Sequence, residues 1–354
     1  MTSRSGSVSR RDFLGRAALG LAGGLALLNG RATAQPTPPS APPARLALEA
    51  GDSRADNVFQ ALKRIEPEIR AGLAKKKRII IKPNMVVVDR QLASTHAECL
   101  EGLLEFLSPL VEDDVIVAES PANGPAAEAY SNYDYLRLER KYRVRFVDLD
   151  AQPCVIEHVV NERHHARPVR FSKFLLDPDA YLISAAVLKC HDRAVVTLGL
   201  KNLAVGAILK DPGYRWGPGS KGVSDKARVH GGPKNQGIHY NLFSLAKRLP
   251  PHLTVLDGFE GMEHNGPNAG TPVDHRVAVA STDWLAADRV GVELMGFDFA
   301  KVGYLTFCAD AALGQADLDQ IEVLGQPIAD HVRTYRPHDN IEQQYQWIYT
   351  ERHK

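Results

Sequence analysis

The sequence predicts an α/β protein: a mostly parallel, doubly wound sheet with helices on both faces and a long Gly/Lys-rich loop insertion. Three observations point there. From Arg45 onward, short β-rich runs alternate with amphipathic segments, the pattern of strands joined by crossover helices. Polar residues collect where the β-rich runs end. The composition, 44% hydrophobic and 24% charged over 354 residues, is that of a globular chain long enough to bury a large core.

Taken in order, the first β-rich run is Leu46–Glu49, followed by Val58, Leu62, Ile65 and Ile69 at helical spacing. The second, Arg78–Lys82, leads into Pro83-Asn84. Thr95-His96-Ala97-Glu98 then reads as a capping box that places His96 in the first turn of a helix carrying Leu100, Leu103, Leu104 and Leu107. Val115–Glu119 runs into Ser120-Pro121, and Arg145–Asp148 closes a first set of strands. A second set comprises Tyr181–Val187, leading into Lys189-Cys190-His191, then Leu253–Leu256 before Asp257-Gly258, and Val277–Ala280 before Ser281-Thr282-Asp283. In a Rossmann-like sheet of this kind the carboxyl ends of the strands border the ligand crevice, so these turns are the expected rim of a site. The α/β region is expected over 46–325, as one domain or as two lobes at 46–150 and 180–325, with a C-terminal tail at 326–354.

Residues 194–209 are apolar nearly all round and predict a buried helix in which Thr197 and Lys201 share a face, with Asn202 beside them. A lysine there must meet a carboxylate or an anionic ligand, or lose its proton, because an unpaired buried charge is costly. Asp257 or Glu119 could supply the partner from within the chain. Lys210 to His239 is irregular, with seven glycines, Lys210, Lys221, Lys226 and Lys234, and His230 and His239. That is the composition of a cationic flap over a small anion, and equally of a solvated insertion.

These features define the candidate residues. His96, His191 and Lys201 form the catalytic set. Lys82, Asn84, Glu119, Ser120, Lys189, Thr197, Asn202, Lys210 and Asp257 form the anion-binding set. No H-E-x-x-H or comparable short-range motif occurs, so a metal would need His191, His230 and His239 brought together by the fold.

At the N-terminus, Ser9-Arg10-Arg11-Asp12-Phe13-Leu14 precedes an uncharged stretch from Ala17 to Leu28 and then Ala32-Thr33-Ala34. This reads as a twin-arginine signal over 1–34, cleaved after Ala34. It implies the twin-arginine export machinery as a partner and a periplasmic or otherwise extracytoplasmic location. The apolar run is too short to span a bilayer, although an uncleaved signal would act as a tether. Five prolines between Gln35 and Arg45 give a stiff linker over 35–45. Residues 1–34 hold five Arg and one Asp, which leaves 38 basic against 41 acidic side chains and argues against nucleic-acid binding. Cys99, Cys154, Cys190 and Cys308 are 55, 36 and 118 residues apart, which excludes an iron–sulfur cluster built from C-x-x-C pairs.

Ile81-Lys82-Pro83-Asn84, Thr95-His96, Ala118-Glu119-Ser120, Lys189-Cys190-His191, the run 196–202 and the run 257–263 together resemble the domain of unknown function 362 family, over residues 78–325. Many of its members carry a ferredoxin-like cysteine segment, from which this chain departs. The ten-residue step from His191 to Lys201 is also similar to the layout of nickel-pincer-dependent lactate racemases, where a histidine-bearing turn leads to a cofactor-binding lysine. That likeness implies a transition metal or a metal-containing organic cofactor. Two functions follow from the residues. One is an exported enzyme acting on a small organic anion, with lysines holding the charge and histidines moving protons. The other is a non-catalytic anion- or metal-binding protein of the cell envelope.

Overall fold

A computed structural model describes residues 41–231 and 236–350. The twin-arginine segment, linker residues 35–40 and Lys234 lie outside the described residues. The chain begins with strand β1 (Ala44–Ala50) and helix α1 (Arg54–Arg64), whose N-cap Ser53 accepts from Asp56 N. The expected single helix breaks at Ile65, because Pro67 has no N–H to continue α1 and instead opens α2 (Glu66–Leu73). Strand β2 (Arg78–Lys82), helix α3 (Ala97–Leu107), strand β3 (Val115–Glu119), helix α4 (Ala126–Asn132) and strand β4 (Val144–Asp148) follow. A separate hairpin of β5 (Cys154–Val160) and β6 (Ala166–Ser172) precedes the long strand β7 (Ala180–His191).

The chain then folds back as β8 (Val195–Thr197), antiparallel to β7, before helix α5 (Gly199–Gly206). The expected continuous helix over 194–209 is therefore corrected. Val195-Val196-Thr197 is a β-branched run that prefers the pleated surface, and Val195 sits at φ 65° in the reversal. Helix α6 (Gln236–Arg248), strands β9 (Leu253–Glu263) and β10 (Thr271–Ser281), helices α7 (Trp284–Leu294) and α8 (Gly303–Asp310), strand β11 (Ile321–Gly325) and a short α9 (Ile341–Gln344) complete the fold.

The main sheet has the order β11-β1-β10-β9-β7-β2-β3-β4, with β8 added to β7. Strands β9, β7, β2, β3 and β4 run parallel, while β10 is antiparallel to both β9 and β1. From β2 the chain steps outward to β3 and β4, then returns to the other side of β2 to lay down β7 and β9. The order thus switches between β2 and β7, where an open α/β sheet leaves a crevice beyond its carboxyl ends.

Each face of the sheet has its own core. Ile79 and Ile81 pack with Val58, Leu62, Leu100 and Leu104 under α1 and α3. Ile80, pointing the other way, packs with Leu182, Leu200, Leu203 and Val290 under α5 and α7. The sheet is therefore covered by helices on both sides, as the sequence pattern predicts.

Candidate functional site

At the switch point a cavity of about 670 Å³ opens beyond β2, β3 and β7, walled by α5 and by the segment that follows it. Lys82, Asn84, Glu119, Ser120, His191, Thr197, Lys201, Asn202 and His230 all line it. They come from β2, β3, β7, β8 and α5, from the turns after β2 and β3, and from the downstream loop, and the sheet topology is what brings them together.

The floor is a buried polar network. Lys82 Nζ donates to Glu119 Oε2 at 2.8 Å, to Asn202 Oδ1 at 2.9 Å and to Pro83 O at 2.8 Å. Glu119 Oε1 accepts from Ser120 N at 2.8 Å, and Ser120 Oγ donates to Asp150 Oδ1 at 2.7 Å. Burial pushes the Lys82 ammonium down and the Glu119 carboxyl up, while their mutual attraction opposes both shifts. With three acceptors around the ammonium and two donors on the carboxylate, the pair is held in its ionic form. Asn202 Nδ2 donates to Lys82 O and Ser184 Oγ, which turns its Oδ1 toward Lys82 Nζ and Asn84 Nδ2. Glycine is needed at 206, because a Cβ there would collide with the Lys82 side chain.

Above this floor the Lys201 ammonium, Thr197 Oγ1 and Asn84 Oδ1 lack a hydrogen-bond partner among the described residues. Lys201 is 5% exposed and, among the described residues, forms no hydrogen bond or ion pair. Burial, with Lys82 adding to it and Asp192 opposing, lowers its ammonium to about 8. Its place in the first turn of α5 adds an unfavourable helix-dipole contribution. Buried Asp288 on α7 caps that turn, accepting from Gly199 N at 2.7 Å and Leu200 N at 3.0 Å. Thr197 Oγ1 and Asn84 Oδ1 are also buried without a partner. Lys226 donates to the carbonyls of Val205, Gly206 and Ile208 at the end of α5, and burial lowers it to about 7.

His191 and His230 stack with centroids 5.7 Å apart and planes 10° from parallel. His191 Nδ1 accepts from Arg193 N at 3.0 Å and Ala194 N at 3.3 Å, so in the neutral ring the proton sits on Nε2. The 3.1 Å approach of Asp192 Oδ1 to the same Nδ1 is then a contact between two acceptors and not an ion pair. His230 Nδ1 lies 3.2 Å from Lys226 O and donates to it, leaving Nε2 as an acceptor. Burial and the charge of Lys201 hold His191 well below the ordinary imidazole range and His230 at about 3.

Other candidates sit elsewhere. His96 is the N-cap of α3, not a first-turn residue: its Nδ1 accepts from Glu98 N, while Thr95 Oγ1 is committed to Asn84 N and Ala185 O. It lies outside the cavity. Asp257 is buried against Arg54 at 3.2 Å, within a β9 that continues six residues past it. Lys189 Nζ donates to Ala93 O, and Lys210 pairs with Asp150 beneath the floor. Glu119 and Asp257 thus have cations of their own, so neither forms the expected ion pair with Lys201.

The expected metal set is also corrected. His239 lies in α6, accepts from Tyr304 N and packs on Tyr304 and Trp347, away from His191 and His230. Among the described residues no group of three His, Cys, Asp or Glu could hold a metal ion. Lys226, Tyr214 and Trp216, which line the cavity, carry no sequence signal beyond membership of the loop.

Residues 79–293 match the family described as a domain of unknown function, DUF362, and every residue lining the cavity lies within that span. The chain belongs to the DUF362 family. A thylakoid-associated protein of Synechocystis sp. is 27% identical over 242 residues, 67% of this chain and 68% of that protein. A crystal structure of a Thermotoga maritima protein overlaps at a TM-score of 0.40 and 12% identity, covering 75% of this chain and 59% of its own. No helix among the described residues is long and apolar enough to cross a membrane.

Proposed function

We propose that this DUF362 protein is an exported enzyme that binds an organic anion in the switch-point cavity and transfers a proton on it. Lys201 anchors the negative charge, His230 takes the carbon-bound proton at Nε2 and returns it, and His191, which stays neutral, donates a hydrogen bond from Nε2–H to the carboxylate oxygen on which charge develops. The observation that carries this is Lys201 itself, a lysine 5% exposed that forms no hydrogen bond or ion pair among the described residues, with Asp192 acting on it only from a distance. A charge so placed is stabilised when an anion arrives. Among the described residues Thr197 Oγ1 and Asn84 Oδ1 are also buried and unpaired in the cavity; the Thr197 hydroxyl can donate to the anion, while Asn84 Oδ1 only accepts and suits a donor group elsewhere on the ligand.

The histidines are tuned by the same charge. Burial is the largest cause that lowers both imidazoles and Lys201 adds to it, so an anion that neutralises Lys201 makes His230 a stronger base than it is in the free protein. Binding therefore prepares His230 for proton transfer.

The test is exchange of carbon-bound hydrogen for deuterium in a panel of small carboxylates in D2O, followed by proton NMR. Wild type should wash label into one of them and Lys201→Met should not. A panel that binds but never exchanges would make the chain an anion-binding protein of the envelope.

Export is the second part of the proposal. The Arg10-Arg11 segment supports it, and the Synechocystis relative is named for association with thylakoids. Replacing both arginines with lysine should retain the precursor in the cytoplasm, and undiminished export would refute the assignment.

A further inference from the structure

The cavity has two kinds of wall. Beside Lys201 and Thr197 it is polar, but Val86, Tyr214 and Trp216 also line it. The 214–216 segment is fixed through four contacts, none of which uses a ring, the first being Tyr214 N donating to Asp211 O at 3.0 Å. Gly124 N donates to Tyr214 O at 3.0 Å, Trp216 N donates to Asn123 Oδ1 at 2.8 Å, and Arg215 pairs with Glu128. Asn123 N in turn donates to Val86 O at 3.0 Å, which sets Trp216 beside the Val86 wall. Among the described residues the Tyr214 and Trp216 rings stack on no other ring, and neither the Trp216 indole N–H nor the Tyr214 hydroxyl has a hydrogen-bond partner. Trp216 is 48% exposed, an unusual place to leave an indole without a use.

Size points the same way. An acid of two or three carbons would occupy a small part of about 670 Å³, a volume in the range that holds drug-sized ligands. Aromatic side chains with free faces gain most from a planar ring, which they meet in offset-stacked or edge contact.

We infer that the ligand is an aromatic carboxylate whose anionic group meets Lys201 and whose ring lies against Trp216 and Tyr214. This rests on the anion-binding reading of the cavity and adds the substrate class. The test uses three probes on the purified chain: acetate, phenylacetate and phenylacetamide, each titrated by calorimetry and by tryptophan fluorescence. Phenylacetate should bind at least about tenfold tighter than acetate and shift the fluorescence. Trp216→Ala should bring phenylacetate down to the acetate level, and Trp216→Phe should restore most of the difference. Equal affinity of acetate and phenylacetate in wild type would overturn the aromatic inference while leaving anion binding intact. Phenylacetamide binding as tightly as phenylacetate would overturn the anion reading itself. Failure of all three to bind would overturn both.

Discussion

Replacing Lys201 with Met keeps the methylene packing of α5 and removes one charge. The fall of its ammonium from 10.5 to about 8 measures how much the folded protein disfavours that charge. At about 1.4 kcal/mol per unit, the ligand-free protein at neutral pH is destabilised by up to about 3 kcal/mol. The group is a base lowered on folding, so this penalty is complete below about pH 8 and fades as pH rises toward 10.5, where the unfolded chain also loses its proton. The variant should therefore be more stable than wild type at pH 7, by about 1 to 3 kcal/mol, and the difference should vanish near pH 10.5. Urea unfolding followed by circular dichroism at the two pH values measures it. A variant less stable at pH 7 by about 3–5 kcal/mol would mean that Lys201 answers a buried carboxylate, and the ligand argument would fail.

Three further outcomes follow from the same geometry. Lys82→Met leaves Glu119 buried without its cation and should cost about 3–5 kcal/mol, while adding Glu119→Gln should recover a large part; urea midpoints of the single and double variants report this. Gly206→Ala gains about 1 kcal/mol in helix propensity. It also forces its methyl into the Lys82 stem, so a net loss of stability in thermal unfolding is expected, with loss of anion binding as Lys82 and Asn202 shift. Acetate affinity should fall as pH rises through about 8, where free Lys201 loses its charge. Near that pH, binding should take up protons, because a bound anion raises Lys201; calorimetry in buffers of different ionisation enthalpy reads the uptake.

The strands were legible because buried parallel strands are written as β-branched and aliphatic runs, as in Ile79-Ile80-Ile81 and Val115-Ile116-Val117. Knowing where strands end was enough to put Lys82, Asn84, Glu119 and His191 on one rim. It misplaced Lys189 and Asp257, because β7 runs on to His191 and β9 to Glu263, and a polar residue inside a long strand looks like the turn that ends a short one. Thr95 and Glu98 fit a capping box by spacing, but Thr95 has stronger partners in Asn84 N and Ala185 O, which sequence cannot show. Lys226 is buried only because the loop folds back onto the end of α5. Nothing local to its sequence distinguishes it from exposed Lys221.

The central claim is that a bound anion balances Lys201. The direct measurement is the titration of the Lys201 side chain by NMR in lysine-labelled protein, without and with saturating acetate, using Lys201→Met to assign the signal. The free protein should titrate at about 8, and acetate should move the midpoint upward by about a unit or more. A midpoint that acetate leaves unchanged, or a free value at the ordinary 10.5, would contradict the account.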